Sequence, residues 1–148
     1  MVTIRKGEKM DLPEALKLVG ELAEYEKALD QVANTVAQME IDGFGENPVF
    51  GFLIAEDEDG IIGTAIYYYR YSTWKGRRLY LEDLVVTEKK RGTGAGKKLF
   101  EATLQVGRDT NCTGMMWQVL DWNEPAINFY KKYNTQFEDN WINCNIDY

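Results

Sequence analysis

The stretch from Leu79 to Phe100 constrains the fold most. It reads LYLEDLVV and then TEKKRGTGAGKKLF. An apolar run ends, a basic glycine-rich turn follows, and a helix begins. A strand that reaches a helix N-terminus through glycines leaves backbone N–H groups without helical partners. Those groups sit at the positive end of the helix dipole, so the turn is built to meet an anion. Lys89, Lys90, Arg91, Lys97 and Lys98 crowd it in a chain of net charge −7. A basic cluster in an acidic chain reports on a local ligand more than on the whole surface. The plain alternative is a glycine-rich turn whose lysines are merely solvated.

Spacing narrows the anion. A P-loop requires Gly, four residues, and then Gly-Lys-Ser/Thr. Here Arg91 stands at the first glycine before Gly96-Lys97, and Lys98 replaces the hydroxyl residue that would hold Mg²⁺. A dinucleotide fingerprint requires Gly-x-Gly-x-x-Gly. Gly92 and Gly94 match, but Lys97 occupies the third position. Arg91-x-x-Gly94-x-Gly96 remains.

The 148 residues suit one domain, 1–148, with one sizeable core. A hydrophobic content of 45% and an aromatic content of 13% fit a soluble globular chain. No apolar run approaches the roughly 20 residues that cross a bilayer. The opening MVTIRKGEKMDLPE lacks the apolar core of a secretory signal. A cytoplasmic protein without membrane partners is expected. Cys112 and Cys144 form neither a metal spacing nor a CxxC pair, so free thiols are expected. Histidine is absent. Ser-His-Asp and Cys-His nucleophiles are thereby excluded, and no metal site is expected. Proton transfer falls to Asp, Glu, Tyr, Lys or water. A pI near 4.7 argues against nucleic acid and suits a small cationic partner.

Along the chain, Val2–Arg5 reads as a first strand. Asp11 and Glu14 form an Asp-x-x-Glu capping box for a helix reaching Tyr25–Lys27. Thr35 and Gln38 form a second box for a helix ending near Gly43. Phe50–Ala55, Ile61–Tyr71 and Arg78–Val86 predict an antiparallel meander. Gly94–Arg108 predicts a helix and Gly114–Leu120 a strand. Asn123 caps a helix running to about Tyr133, with Pro125 in its first turn and Asn134 after it. Gln136–Glu138 and Trp141–Asp147 predict a closing hairpin. The class is mixed α/β (α+β): a mostly antiparallel twisted sheet flanked by helices.

LAEYE (Leu22–Glu26), DGFGENP (Asp42–Pro48), LYLEDLVV (Leu79–Val86), RGTGAG (Arg91–Gly96) and WNEPAINFYKK (Trp122–Lys132) occur in one order across most of the chain. Together they resemble the GNAT family of acyl-CoA-dependent N-acetyltransferases, in its diamine (spermidine/spermine) acetyltransferase branch. The resemblance implies a GNAT fold and acetyl-CoA as co-substrate. Backbone at Leu84, Val85 and Val86 would line the pantetheine arm like an added strand. Arg91, Gly92, Thr93, Gly94, Ala95, Gly96 and Lys97 would cradle the pyrophosphate. Asn123, Glu124, Pro125 and Ala126 would touch the far side of the arm, Asn123 being also a plain helix cap.

Tyr130 matches the family's general acid; a phenol of pKa about 10 can protonate a departing thiolate. Glu82 matches its base, acting through water. Strict alternation along the strand would put Glu82 and Asp83 on opposite faces. Tyr25, Glu26, Met116, Trp117 and Gln118 match substrate contacts, and Trp74 is a further candidate wall. Aromatic faces and carboxylates suit a flexible polycation. Ser72 stands where the polyamine enzymes carry an acid, which shifts the expectation toward a shorter diamine or a lysine analogue. Transfer is expected by direct attack in a ternary complex. A GNAT activity on a peptide N-terminus or amino acid stays open, as does a non-catalytic acyl-CoA-binding module. A homodimer is implied by the resemblance.

Overall fold

The run that begins at Gly51 is buried on both of its sides, and this sets the layering. In the computed structural model, which describes residues 1–148, it forms the strand Gly51–Asp57. Phe52 and Ile54 point one way, into a cluster with Leu12, Ala15, Met39 and Ile66. Period-two alternation turns Leu53 and Ala55 to the opposite side, where both are also buried. A strand covered on both faces reads as continuous apolar sequence.

The elements in order are β1 (Thr3–Lys6), α1 (Leu12–Tyr25), α2 (Val36–Phe44), β2 (Gly51–Asp57), β3 (Gly60–Ser72), β4 (Gly76–Val86), α3 (Ala95–Asp109), β5 (Met115–Trp117) and α4 (Glu124–Lys131). Short 3-10 turns lie at Lys9–Asp11, Leu29–Gln31 and Glu88–Lys90. The chain divides into two units, Met1–Gln118 and Val119–Tyr148.

In the first unit the sheet order is β1-β2-β3-β4-β5. The first four strands pair antiparallel, as the meander predicts. β5 pairs parallel to β4, Leu79 facing Met115 and Leu81 facing Trp117. A parallel pair needs a crossover, and α3 supplies it. α1 packs on β3 and β4, and α3 packs on β1 through β4. Leu99 and Phe100 of α3 are fully buried. Two buried hydroxyls are satisfied locally: Thr64 Oγ1 donates to the Leu53 carbonyl at 2.8 Å and Thr103 Oγ1 to the Leu99 carbonyl at 2.7 Å.

The capping box expected at Asp11 and Glu14 does not form. Asp11 makes no side-chain cap to α1. Its carboxylate takes both arms of the Arg5 guanidinium, at 2.7 and 3.0 Å, and the Glu8 N–H at 2.8 Å. A bidentate charged pair outcompetes a single amide for those oxygens. Thr35 does cap α2, its hydroxyl accepting the Gln38 N–H at 3.1 Å. Gln38 itself reaches forward to Asp42 at 3.0 Å.

In the second unit Asn123 caps α4 by accepting the Ala126 N–H at 3.4 Å. The helix ends at Lys131, earlier than the expected Tyr133. The expected closing hairpin is not there: Gln136–Glu138 and Trp141–Asp147 form no strands. Trp141, Ile142 and Ile146 are exposed instead. An alternating pattern specifies which face a strand would bury, but a strand also needs a neighbour for its backbone bonds.

Candidate functional site

The turn after β4 is pinned on both flanks before its glycines begin. Thr87 precedes the Glu88–Lys90 turn and offers it no side-chain cap. Glu21 of α1 takes that place, accepting the Glu88 N–H at 3.1 Å and the Thr87 hydroxyl at 3.0 and 3.1 Å. Lys90 pairs with Asp57 at 2.8 Å and with Asp59. Those bonds raise the lysine pKa and hold Asp57 below the usual carboxylate range. Lys90 is therefore committed to the β2–β3 turn, and Lys98 donates to the Val2 carbonyl at 2.9 Å. Lys89, Arg91, Lys97 and Lys98 are exposed, and of these Lys89 and Lys97 make no ion pair or hydrogen bond that would commit them elsewhere.

Gly92 and Gly94 take positive φ, +82° and +87°, with open space where a side chain would begin. That conformation suits glycine, and the open space admits a ligand against the backbone. The Thr93 hydroxyl donates to the Lys90 carbonyl at 2.7 Å and closes the turn. In α3 the Lys98 N–H donates to the Gly94 carbonyl at 3.0 Å. The N–H groups of Ala95, Gly96 and Lys97 come before that bond and have no intrahelical acceptor. The geometry fits a pyrophosphate. The Arg91 guanidinium donates to the Val86 carbonyl at 3.3 Å and lies 5.5 Å from the centre of the Tyr25 ring.

β4 is irregular where Glu82 stands. Asp83 faces Ile66 and Leu81 faces Tyr67, so Glu82 has no partner on β3. This is a β-bulge, a device that re-aims side chains beside active sites. It suspends the strict alternation expected for Glu82 and Asp83. Glu82 is exposed and Asp83 half-buried. Burial, then the charges of Glu82 and Glu26, push the Asp83 pKa up to about 7. Glu26, at the end of α1, is also raised by burial. Three carboxylates thus share one electrostatic neighbourhood.

β5 pairs with β4 only as far as Leu81. From Glu82 to Val86 no strand of the sheet lies on that side of β4. The backbone groups of Leu84 and Val86 therefore face that edge, on which an extended arm can pair like a strand, while those of the intervening Val85 face β3.

Other expected site residues are placed as follows. Tyr25 is partly exposed at the end of α1. Met116 is half-buried and Gln118 exposed. Trp117 meets Phe100 edge to face at 5.1 Å, so its ring helps seat α3. Trp74 lies at the β3–β4 hairpin tip, 85% exposed. Along β4 that tip is roughly 25 Å from Asp83 at the rise of a strand, so this chain does not bring Trp74 to its own carboxylates. The Ser72 hydroxyl accepts the N–H groups of Trp74 and Lys75 at 3.2 and 3.1 Å, a turn role. In the second unit Asn123 is buried, Glu124 and Pro125 are exposed, and Ala126 is half-buried. Tyr130 is buried on α4, its carbonyl accepting the Thr135 hydroxyl at 2.7 Å. No group of three His, Cys, Asp or Glu side chains is placed to hold a metal ion.

Sequence reasoning missed Glu21, which looks like any solvated helix carboxylate. It also did not assign Asp83 a role, because the bulge that relates it to Glu82 has no local signature.

The model of the acetyltransferase (GNAT) family matches residues 17–134. A thialysine N-epsilon-acetyltransferase of Bos taurus is 41% identical over 91% of this chain and 84% of its own length. A spermidine/spermine N(1)-acetyltransferase-like protein 1 of Homo sapiens is 41% identical over 86% of this chain and 19% of its own. Among solved structures, an aminoglycoside acetyltransferase from an uncultured soil metagenomic sample superposes with a TM-score of 0.78 at 18% identity. That match covers 99% of this chain and 96% of the other, and it bears on the fold alone.

Proposed function

The chain belongs to the acetyltransferase (GNAT) family, and from that premise we propose that it moves an acetyl group from acetyl-CoA to a primary amine of a small lysine analogue or diamine. The observation that carries the substrate class is the grouping of Glu26, Glu82 and Asp83 beside an open strand edge. Three carboxylates in one place repel each other and favour a cation among them. The names of the thialysine and spermidine/spermine relatives agree with that chemistry. Ser72, occupied by its own turn, favours the shorter amine.

In this reading the backbone of Gly92–Lys97 with Arg91 holds the pyrophosphate, Leu84–Val86 pair with the pantetheine arm, and Asn123–Ala126 touch its far side. Tyr25, Glu26, Met116, Trp117 and Gln118 surround the amine. Glu82, through water, takes the proton that the ammonium must lose, and Asp83 beside it holds the cation. The neutral nitrogen attacks the thioester carbonyl, and Tyr130 gives its proton to the departing thiolate. Residues 1–148 act as one acetyltransferase domain in the cytoplasm. A homodimer belongs to the same reading, supported by exposed Tyr71 and Trp74 at the hairpin tip. Trp74 then walls a pocket only across a subunit boundary.

Thiol release from acetyl-CoA is the test, with thialysine, lysine, putrescine, spermidine and a peptide N-terminus as acceptors. Fastest release is expected with thialysine or putrescine. The Tyr130→Phe enzyme should lose turnover and keep its affinity for CoA. A preference for the peptide would overturn the substrate class. Tight CoA binding without release to any amine would identify a binding module.

A further inference from the structure

The carboxylate of Glu21 is an oddity beside an anion-binding turn. A negative charge there repels phosphate, yet it lies on the N-terminal stem of the glycine loop. Its bonds explain its presence. One oxygen accepts the Glu88 N–H, and both lie within hydrogen-bond distance of the Thr87 hydroxyl. Glu88 opens the 3-10 turn that leads into Arg91 and Gly92. A turn of this kind has orphan N–H groups at its start, and an acidic group there is favourable. The cap comes from 67 residues away in sequence, on α1. The same helix ends in Tyr25, whose ring faces Arg91, and is followed by Glu26, whose charge reaches Asp83.

We propose that Glu21 is a positioning residue that fixes the stem of the pyrophosphate loop to α1, and so sets the affinity for acetyl-CoA. This rests on the acetyltransferase reading above. With Lys90 held by Asp57 and Asp59 on the other flank, the stem has two anchors. Glu21 is the anchor that joins it to the helix bearing the amine-side residues. Removing it takes one of the two anchors from Thr87–Gly94 without touching any group in contact with the reacting atoms. The loop must then be ordered at the moment of binding, which weakens the co-substrate and spares the chemical step.

The test uses the full chain. Loss of charge-assisted bonds predicts that Glu21→Ala raises KM for acetyl-CoA about tenfold while kcat stays within about twofold. CoA alone, titrated calorimetrically, should bind more weakly by the same factor. Glu21→Gln keeps an acceptor oxygen and should recover most of the affinity. Thr87→Val removes one donor and should show a smaller effect of the same sign. Hydrogen exchange should quicken at residues 88–94 in Glu21→Ala with the melting temperature little changed. Equal CoA affinity in wild type and Glu21→Ala would overturn the inference and leave the function standing. A fall in kcat with unchanged KM would also overturn it. A wild-type protein that binds no CoA would overturn both.

Discussion

Asp83 holds its proton at a pH where an exposed aspartate has lost it. Burial is the main cause, with the charges of Glu82 and Glu26 adding to it. The consequence for activity has a definite sign. With an amine substrate, kcat/KM should rise with pH through an ionisation near 7 as Asp83 becomes charged. Asp83→Asn should abolish that limb. Glu82→Gln removes a like charge together with the base, so its much lower residual rate should show the limb at lower pH. Rate profiles of the three proteins check this, and an unmoved limb in Glu82→Gln would detach the pair from each other. Stability follows the opposite course. Between the usual carboxylate range and pH 7 the folded state keeps a proton that the unfolded chain releases, so stability falls as pH rises. Asp83→Asn should therefore melt higher than wild type at pH 8 and show no gain at pH 3.

At the scale of elements, local signals worked where the structure is local. Thr35 begins α2, Asn123 begins α4, and the Gly94–Ala95 junction begins α3, as their sequences predict, although the Gln38 half of the expected Thr35 box turns to Asp42 instead. Thr35→Ala should cost about 1 kcal/mol, the usual loss for such a cap, and urea denaturation would register it as a lower midpoint at unchanged slope. Signals failed where a distant partner decides. Asp11 carries the same capping chemistry as Thr35, but Arg5 lies within reach and takes its carboxylate. WINCNIDY alternates as well as many strands do, yet it forms no strand in this chain. The bulge at Glu82 depends on how Ile66 and Tyr67 of β3 meet β4, and neither strand's sequence states the register.

Across the molecule, two carboxylates give stability opposite dependences on pH. Asp11 is nearly buried and held below the usual carboxylate range, first by the Arg5 guanidinium. Arg5 also reaches Glu56 at 3.0 Å, so one cation ties β1, the Lys9–Asp11 turn and β2. A lowered native pKa contributes stability that is present above the unfolded value and lost as pH falls through the folded one. Asp11→Asn should destabilise the protein at pH 7 by roughly 1.5–3 kcal/mol, the range for a hydrogen bond to a charged group, and should flatten its acid unfolding. Chemical denaturation at pH 7 and pH 3 would measure both. Equal stability of variant and wild type at pH 7 would show that the clasp contributes nothing. Because Asp11 and Asp83 act in opposite directions, the two asparagine variants should shift stability at pH 8 with opposite signs.

By itself the sequence determined the elements as far as the helix after Asn123, the antiparallel meander, the glycine turn and the family. Periodicity, glycine position and motif order are properties of neighbours along the chain, and they survive without a fold. Tertiary structure alone decided which carboxylates share a field, which lysines are already paired, and that Glu21 caps a turn far from it in sequence. Those facts depend on burial and distance, and only packing α1 against β4 creates either one.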